Sequence, residues 1–243
     1  MAECNEDQVK LAPAVLFVTA LFAAEPSAPF LAGQKVSVSH TERLTLPAGG
    51  MVSIEHSFGV LRIEGWDRPE VEIATVKTTK EYFRSGEDAK GKAQLNRVQV
   101  AAAVEGKDVV VTTRYPHRSF PPRPWAEPPV DLEYVIHVPM DAAIQVKHGL
   151  GAVSFQNLAG SIRADVRSGD ITLDLPSNSQ YAVKAGSNWG AVESDFPGSE
   201  HRRFWMVGHN FTGSSEDGAH KLDLKASYGD IIVMKTFKPE ATH

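Results

Sequence analysis

Nine histidines and a scattered series of acids are the residues of this chain best suited to chemistry. His201, His209 and His220 are spread over a polar, glycine-rich stretch. Neither an HExxH helix motif nor a His-x-His pair is present to set two imidazoles on one metal. They read as solvated loop residues. His137 and His148 fall in or beside strand-like segments, and no carboxylate stands at a sequence spacing that pairs with either. The acids Asp165, Asp170, Asp174, Glu193, Asp195 and Asp230 have outward positions. If their strands stack, equivalent positions on successive layers lie about 4.8 Å apart. Such a row could hold calcium, or with Arg163 or Arg167 form a polysaccharide-cleaving face. The plainer reading is a charged surface that keeps β edges from aggregating. The nonapeptide calcium-roll pattern, with its paired glycines and fixed aspartate, is absent.

Other reaction chemistries lack their signatures. There is no Walker loop, dinucleotide fingerprint or GxSxG elbow, and Ser168 in Arg-Ser-Gly-Asp has only a neighbouring glycine to suggest a nucleophile. Asn210-Phe211-Thr212 fits a glycosylation acceptor by chance pattern. Trp189, Phe204, Trp205 and Tyr228 could form an aromatic platform for sugar rings, but core and corner packing explains them more simply. The one cysteine, Cys4, excludes an intramolecular disulfide and any multi-cysteine metal site. A formal charge of −5, with both signs interspersed, offers no attraction to nucleic acid. No cofactor is expected. The speculative binding face comprises Asp165, Asp170, Asp174 and Trp189.

These residues must be positioned by strands. Ser53–His56 leads into Val60–Ile63, and Val71–Val76 alternates apolar and polar as a half-buried strand does. Val98–Val104 and Val109–Thr113 flank Glu105-Gly106-Lys107-Asp108, which predicts a hairpin. Between Ser85 and Leu95 the composition favours one short helix, weakened by Gly91. Residues 115–129 hold six prolines, which cannot donate to a sheet ladder, so this is a Pro-rich connecting loop. It separates an N-terminal β region, 35–114, from a C-terminal region of glycine-corner repeats, 130–237, with a tail at 238–243.

The repeats carry the fold expectation. A bulky or polar residue, a glycine, one further residue and an apolar strand recur at Val146–Val153, Val166–Ile171, Val183–Val192 and Leu224–Ile231, with an outlying copy at Ile54–Leu61. Gly151, Gly169 and Gly190 are 18 and 21 residues apart, and Gly190 to Gly229 is 39. Gly208 falls where a missing copy would stand, and Gly160 halves the first interval. Glycine suits such corners because it reaches positive φ and close backbone approach without a Cβ clash. Gly59, Gly151, Gly160, Gly169, Gly190 and Gly229 are therefore the expected structural corners. Ile162, Ala164 and Val166 then face inward, with Arg163, Asp165 and Arg167 outward. A period near 20 with half-period strands predicts an all-β, β-solenoid or β-helix-like stack, in which each coil covers its neighbour's apolar face. The N-terminal half can contain hairpins of sandwich type.

The corner phrases RSGDITL at 167–173 and SYGDIIV at 227–233 resemble those of a bacterial adhesin-like family, a domain of unknown function with a β-helix-like fold. GVLRIEGWD at 59–67, a short helical stretch, a Tyr-Pro loop and a strand ending in Val138-Pro139 extend the likeness over about residues 35 to 237. The resemblance implies an extracytoplasmic, cell-envelope protein and supplies no catalytic residues.

The N-terminus points the same way. Leu11–Ala24 is an apolar run of signal-peptide length ending in small residues, within a leader of residues 1–28. Its acidic flank, Glu3, Glu6 and Asp7, is unlike an export signal, whereas a start at Val9 would leave Lys10 before the run. The run is short for a spanning helix, so the mature chain is expected to have no membrane span. The expected function is non-catalytic: an extracytoplasmic protein binding a surface glycan or an envelope protein. The alternatives are a carbohydrate-active enzyme on a β-helix scaffold and a purely structural envelope module.

Overall fold

The computed structural model describes residues 33–115, 130–176, 180–202, 208–214 and 220–236. The leader, the tail and all of the Pro-rich segment but Tyr115 lie outside them. The N-terminal region supplies β1 (Ser37–Thr45), β2 (Met51–Ser57), β3 (Val60–Trp66), β4 (Glu70–Thr79), α1 (Asp88–Leu95), β5 (Gln99–Glu105) and β6 (Asp108–Arg114). Then come β7 (Val130–Pro139), β8 (Ala143–Leu150), β9 (Val153–Gln156), β10 (Ile162–Ser168), β11 (Ile171–Pro176), β12 (Tyr181–Trp189) and β13 (Val192–Ser194). The last four are β14 (Ser199–Arg202), β15 (His209–Ser214), β16 (His220–Tyr228) and β17 (Ile231–Thr236).

The fold is all-β with two mixed sheets of short strands, an arrangement consistent with a β-solenoid. One sheet has the order β1-β4-β7-β3-β9-β11-β17-β13, the other β14-β15-β12-β16-β10-β8-β2-β6-β5. Most neighbours are parallel, because a strand of the nine-stranded sheet turns a corner into one of the eight-stranded sheet and the next such pair lies directly over it. Each such pair is a rung. In space the rungs run β6/β7, β2/β3, β8/β9, β10/β11, β16/β17, β12/β13. This order is not chain order: β2/β3 sits between two later rungs, and β16/β17 enters between β10/β11 and β12/β13. Both regions on either side of the Pro-rich segment therefore contribute to both sheets. Antiparallel pairs close the ends, β5 on β6 and β1 on β4 at one, β14–β15 on β12 at the other.

Alternation builds the core. Val111, Ile54, Val146, Ala164, Leu224 and Ala185 line up across the nine-stranded sheet and are all buried. Ile73, Ile136, Ile63, Phe155, Leu173 and Val233 answer them on the other. Two of the largest buried side chains find polar partners, the Tyr134 hydroxyl with Thr113 Oγ1 at 2.6 Å and Tyr181 with the Leu158 carbonyl at 2.9 Å. Burial pushes the Tyr134 phenol well above its ordinary value.

The corners depend on glycine. Gly151 and Gly169 have φ of 119° and 139°, and a Cβ on either would collide with the carbonyl oxygen of the glycine one rung along, Gly59 and Gly151 respectively. The same contact links Gly229 to Gly169 and Gly190 to Gly229, so a single file of glycines follows the stack. Gly160 belongs to the return between β9 and β10, where a Cβ would meet the Ala142 carbonyl. Gly208 opens no further rung. It bridges Gly190, and the chain after it runs antiparallel to β12, so a hairpin accounts for much of the 39-residue interval. Gly91, a weakness by helix propensity, is where α1 lies against Val36, whose side chain a Cβ would strike.

Gly169→Ala should cost about 3 kcal/mol or more, because strained φ and a backbone clash act together. Gly86→Ala, at φ 90° but in open space, should cost only about 1–2 kcal/mol. Urea unfolding of the two variants beside the wild type measures the difference.

Candidate functional site

Among the described residues, the corner that follows the glycine file also carries the most exposed aromatic side chains of the repeats. The position just before the glycine is Leu150, Ser168, Tyr228 and Trp189 on successive rungs, held in register by parallel pairing. Trp189 is 51% and Tyr228 57% exposed, and Leu150 is 39% exposed. The Trp189 and Tyr228 rings lie nearly parallel, 10° apart in plane with centroids 6.3 Å apart. One residue upstream on the same strands stand Asn188, Ser227 and Arg167, the first and last exposed.

Downstream of the glycine stand Asp170 and Asp230, both exposed. Asp170 Oδ1 accepts from the Asp230 N–H at 2.9 Å, and Asp230 Oδ1 accepts from the Ala191 N–H at 2.7 Å. Each acid thus fastens its corner to the next rung with one oxygen. Asp195 works similarly, its Oδ2 accepting from the Lys235 N–H at 3.0 Å.

The remaining acids do not join them. Asp165 sits mid-strand on the nine-stranded sheet, in register with Lys147 and Lys225, and Lys147 also reaches Glu55 at 3.1 Å. Asp174 lies on the other sheet, beside Gln156 and Met234, and Glu193 is opposite Ile232. Of the speculative face only Asp170 and Trp189 share a corner. The turn between β10 and β11 sends Asp165 and Asp174 to different sheets. No group of three His, Cys, Asp or Glu side chains able to hold a metal occurs among the described residues.

Two histidine constellations escaped the sequence reading. His137 does have carboxylate partners: Glu64 at 3.4 Å from Nε2 and Glu72 at 3.5 Å from Nδ1, on the strands flanking β7. Its ring stacks on Trp66 at 5.2 Å. The Arg43 hydrogen bond, ahead of all other causes, holds the Glu72 carboxyl below its ordinary range. The acids approach opposite nitrogens, so they brace the ring and do not converge on a substrate or metal. The second is Ser57 Oγ, 2.8 Å from His148 Nδ1. Serine and histidine within bonding distance have the form of a nucleophile and its base, but His148 is only 3% exposed and Ser57 is buried beside it. No substrate can reach that pair. Among the other histidines, His201 and His209 lie on β14 and β15, and His220 opens β16 with its ring 6.1 Å from Tyr181. Phe204 and Trp205 lie outside the described residues.

A cleft of about 610 Å³ lies at the opposite corner, where the chain returns to the nine-stranded sheet. Pro47, Trp66, Arg68, Pro139 and Asp141 are among its walls. The Trp66 ring is already taken, by His137 and by the Arg68 guanidinium at 5.0 Å, and its Nε1–H donates to the Glu70 carbonyl.

The family model described as Toastrack DUF4097 matches residues 66–234. No curated protein matches the chain. A proposed cell adhesion protein of Clostridium sporogenes has a solved structure with 12% identity, covering 82% of this chain and 100% of its own, at a TM-score of 0.46. A proposed adhesin of Bacteroides fragilis shows 10% identity, covering 81% and 97%, at a TM-score of 0.23.

Burial dominates His148 and lowers its pKa from 6.5 to about 4, against the raising effect of the Gly59, Leu150 and Gly151 backbone. The unfolded chain then takes up a proton near pH 6.5 that the fold refuses until about pH 4. Stability should be full above that window, decline as pH falls through it and level off below, by at most about 3 kcal/mol. Urea unfolding from pH 7.5 to 4 checks this. His148→Gln should flatten the decline, and an unchanged slope would remove His148 as its cause.

Proposed function

The chain belongs to the Toastrack DUF4097 family, and on that premise we propose that it is a non-catalytic, adhesin-like extracytoplasmic protein that binds a glycan. The exposed, nearly parallel Trp189–Tyr228 pair carries the reading. Large aromatic rings left in water cost free energy unless a ligand covers them, and side chains with an apolar body suit the C–H face of a sugar. Asn188, Ser227, Arg167, Asp170 and Asp230 around the pair offer both donors and acceptors for hydroxyls. Export is supported by the apolar Leu11–Ala24 run before Glu25.

A non-catalytic role is favoured by how the acids are used. Asp170 and Asp230 stand in single file along one corner, each with one oxygen on a backbone amide, an arrangement unlike two carboxylates set across a scissile bond.

A glycan array followed by titration of the hit tests the proposal. Trp189→Ala and Tyr228→Ala should each weaken binding about tenfold or more, equivalent to at least about 1.4 kcal/mol, with the fold intact because both side chains are exposed. Unchanged affinity in both would remove the corner from function. Release of reducing ends from the bound glycan, abolished by Asp170→Ala, would establish an enzyme instead. Cell fractionation should find the protein outside the cytosol, and confinement to it would overturn the export reading.

A further inference from the structure

We infer that the glycan is a linear, neutral chain lying along the stack, crossing the rungs at the glycine corner. The inference rests on the corner being the binding surface and adds the direction, length and charge class of its ligand. Four observations carry it.

The ridge is periodic in the direction of stacking. Leu150, Ser168, Tyr228 and Trp189 occupy one register position on four successive rungs. Rungs recur at about 4.8 Å, the separation of hydrogen-bonded strands, which is close to the advance of one pyranose unit in an extended chain. A chain running along the file meets an equivalent position at each step, whereas one crossing it leaves the ridge after one contact.

The ridge is amphipathic across its width. Asn188, Ser227 and Arg167 come one residue before the ridge positions along the chain, and Asp170 and Asp230 two residues after them, past the glycine. A sugar ring lying on the aromatic pair therefore points hydroxyls both ways into hydrogen-bonding groups. Asp170 and Asp230 each spend a single oxygen on the fold, so the other can accept.

The local charge selects against polyanions. One guanidinium faces two carboxylates, so a uronate or sulfated chain gains no net attraction.

The backbone here is spent. Gly151 N–H donates to Ser168, Gly169 N–H to Tyr228 and Gly229 N–H to Trp189, each to the carbonyl of the next rung. An extended peptide gains affinity chiefly by pairing with free strand-edge amides, and these three amides are already engaged. Recognition falls to side chains, which suits a glycan better than a peptide.

Calorimetric titration with cello-, chito- and manno-oligosaccharides of two to six units, and with oligogalacturonate as the anionic arm, tests this on the full chain. At least one neutral series should gain about tenfold or more in affinity from two to four units and then level off, while oligogalacturonate binds more weakly than the neutral chain. Asp170→Asn keeps an acceptor for the Asp230 amide and should weaken the tetramer several-fold without unfolding the protein. Ser168→Trp adds a ring in the gap between Tyr228 and Leu150, and should tighten the tetramer while leaving the dimer unchanged. Affinity independent of length beyond two units, but lost in Trp189→Ala, would overturn the lengthwise path and leave glycan binding at the corner standing. Preference for oligogalacturonate would overturn the charge class alone. No binding of any series at millimolar concentration would overturn both this inference and the glycan reading beneath it.

Discussion

At each glycine corner a carbonyl oxygen from one rung occupies the volume where a side chain would begin on the next. Gly59, Gly151, Gly169, Gly229 and Gly190 follow one another through this contact, and the amides of the first four donate rung-to-rung hydrogen bonds that close the turn. The close approach keeps the two sheets' strands in common register through the bend. With register held, apolar residues two apart on each strand align into rows that cover one another, as Phe155 and Leu173 do. The same corner brings Ser168, Tyr228 and Trp189 into a file.

The order of the rungs gives the stack a further property. A solenoid wound in chain order can fray from either end, one repeat at a time. Here the rung β2/β3 is held between β6/β7 and β8/β9, and the closing rung β16/β17 between β10/β11 and β12/β13. The first and last rungs of the chain are interior ones. Removing either would expose apolar rows on two neighbours, so the stack is tied together by contacts of long sequence separation. Such topology favours cooperativity over speed of folding.

Polar groups are distributed to suit this scaffold. The sheet faces carry cross-strand ion pairs, including Glu55 with Lys147 and Arg163 with Asp223 at 3.7 Å, and exposed pairs of this kind add little stability. Inside, Thr113–Tyr134 and Ser57–His148 satisfy groups that burial would otherwise leave stranded. Between these extremes lies the corner, where acids do part structural work and aromatic rings stay in water.

Local features of the chain were readable in its sequence because they are local. Period-two alternation marks β10 and β11, glycine marks the bends at 151 and 169, Gly106 marks the β5–β6 hairpin, and one short helix lies near residue 90. Each follows from backbone sterics or side-chain direction within a few residues. What only the tertiary structure decided is which rung lies beside which, since spacing along the chain does not encode an insertion such as β16/β17. That step set Trp189 against Tyr228, although 39 residues part them, and placed Asp165 and Asp174 on separate sheets. It also gave His137 its two glutamates, each more than sixty residues away. Residue types that could do chemistry were visible from the start; their company depends on strand pairing, a long-range choice made by the burial of whole apolar rows.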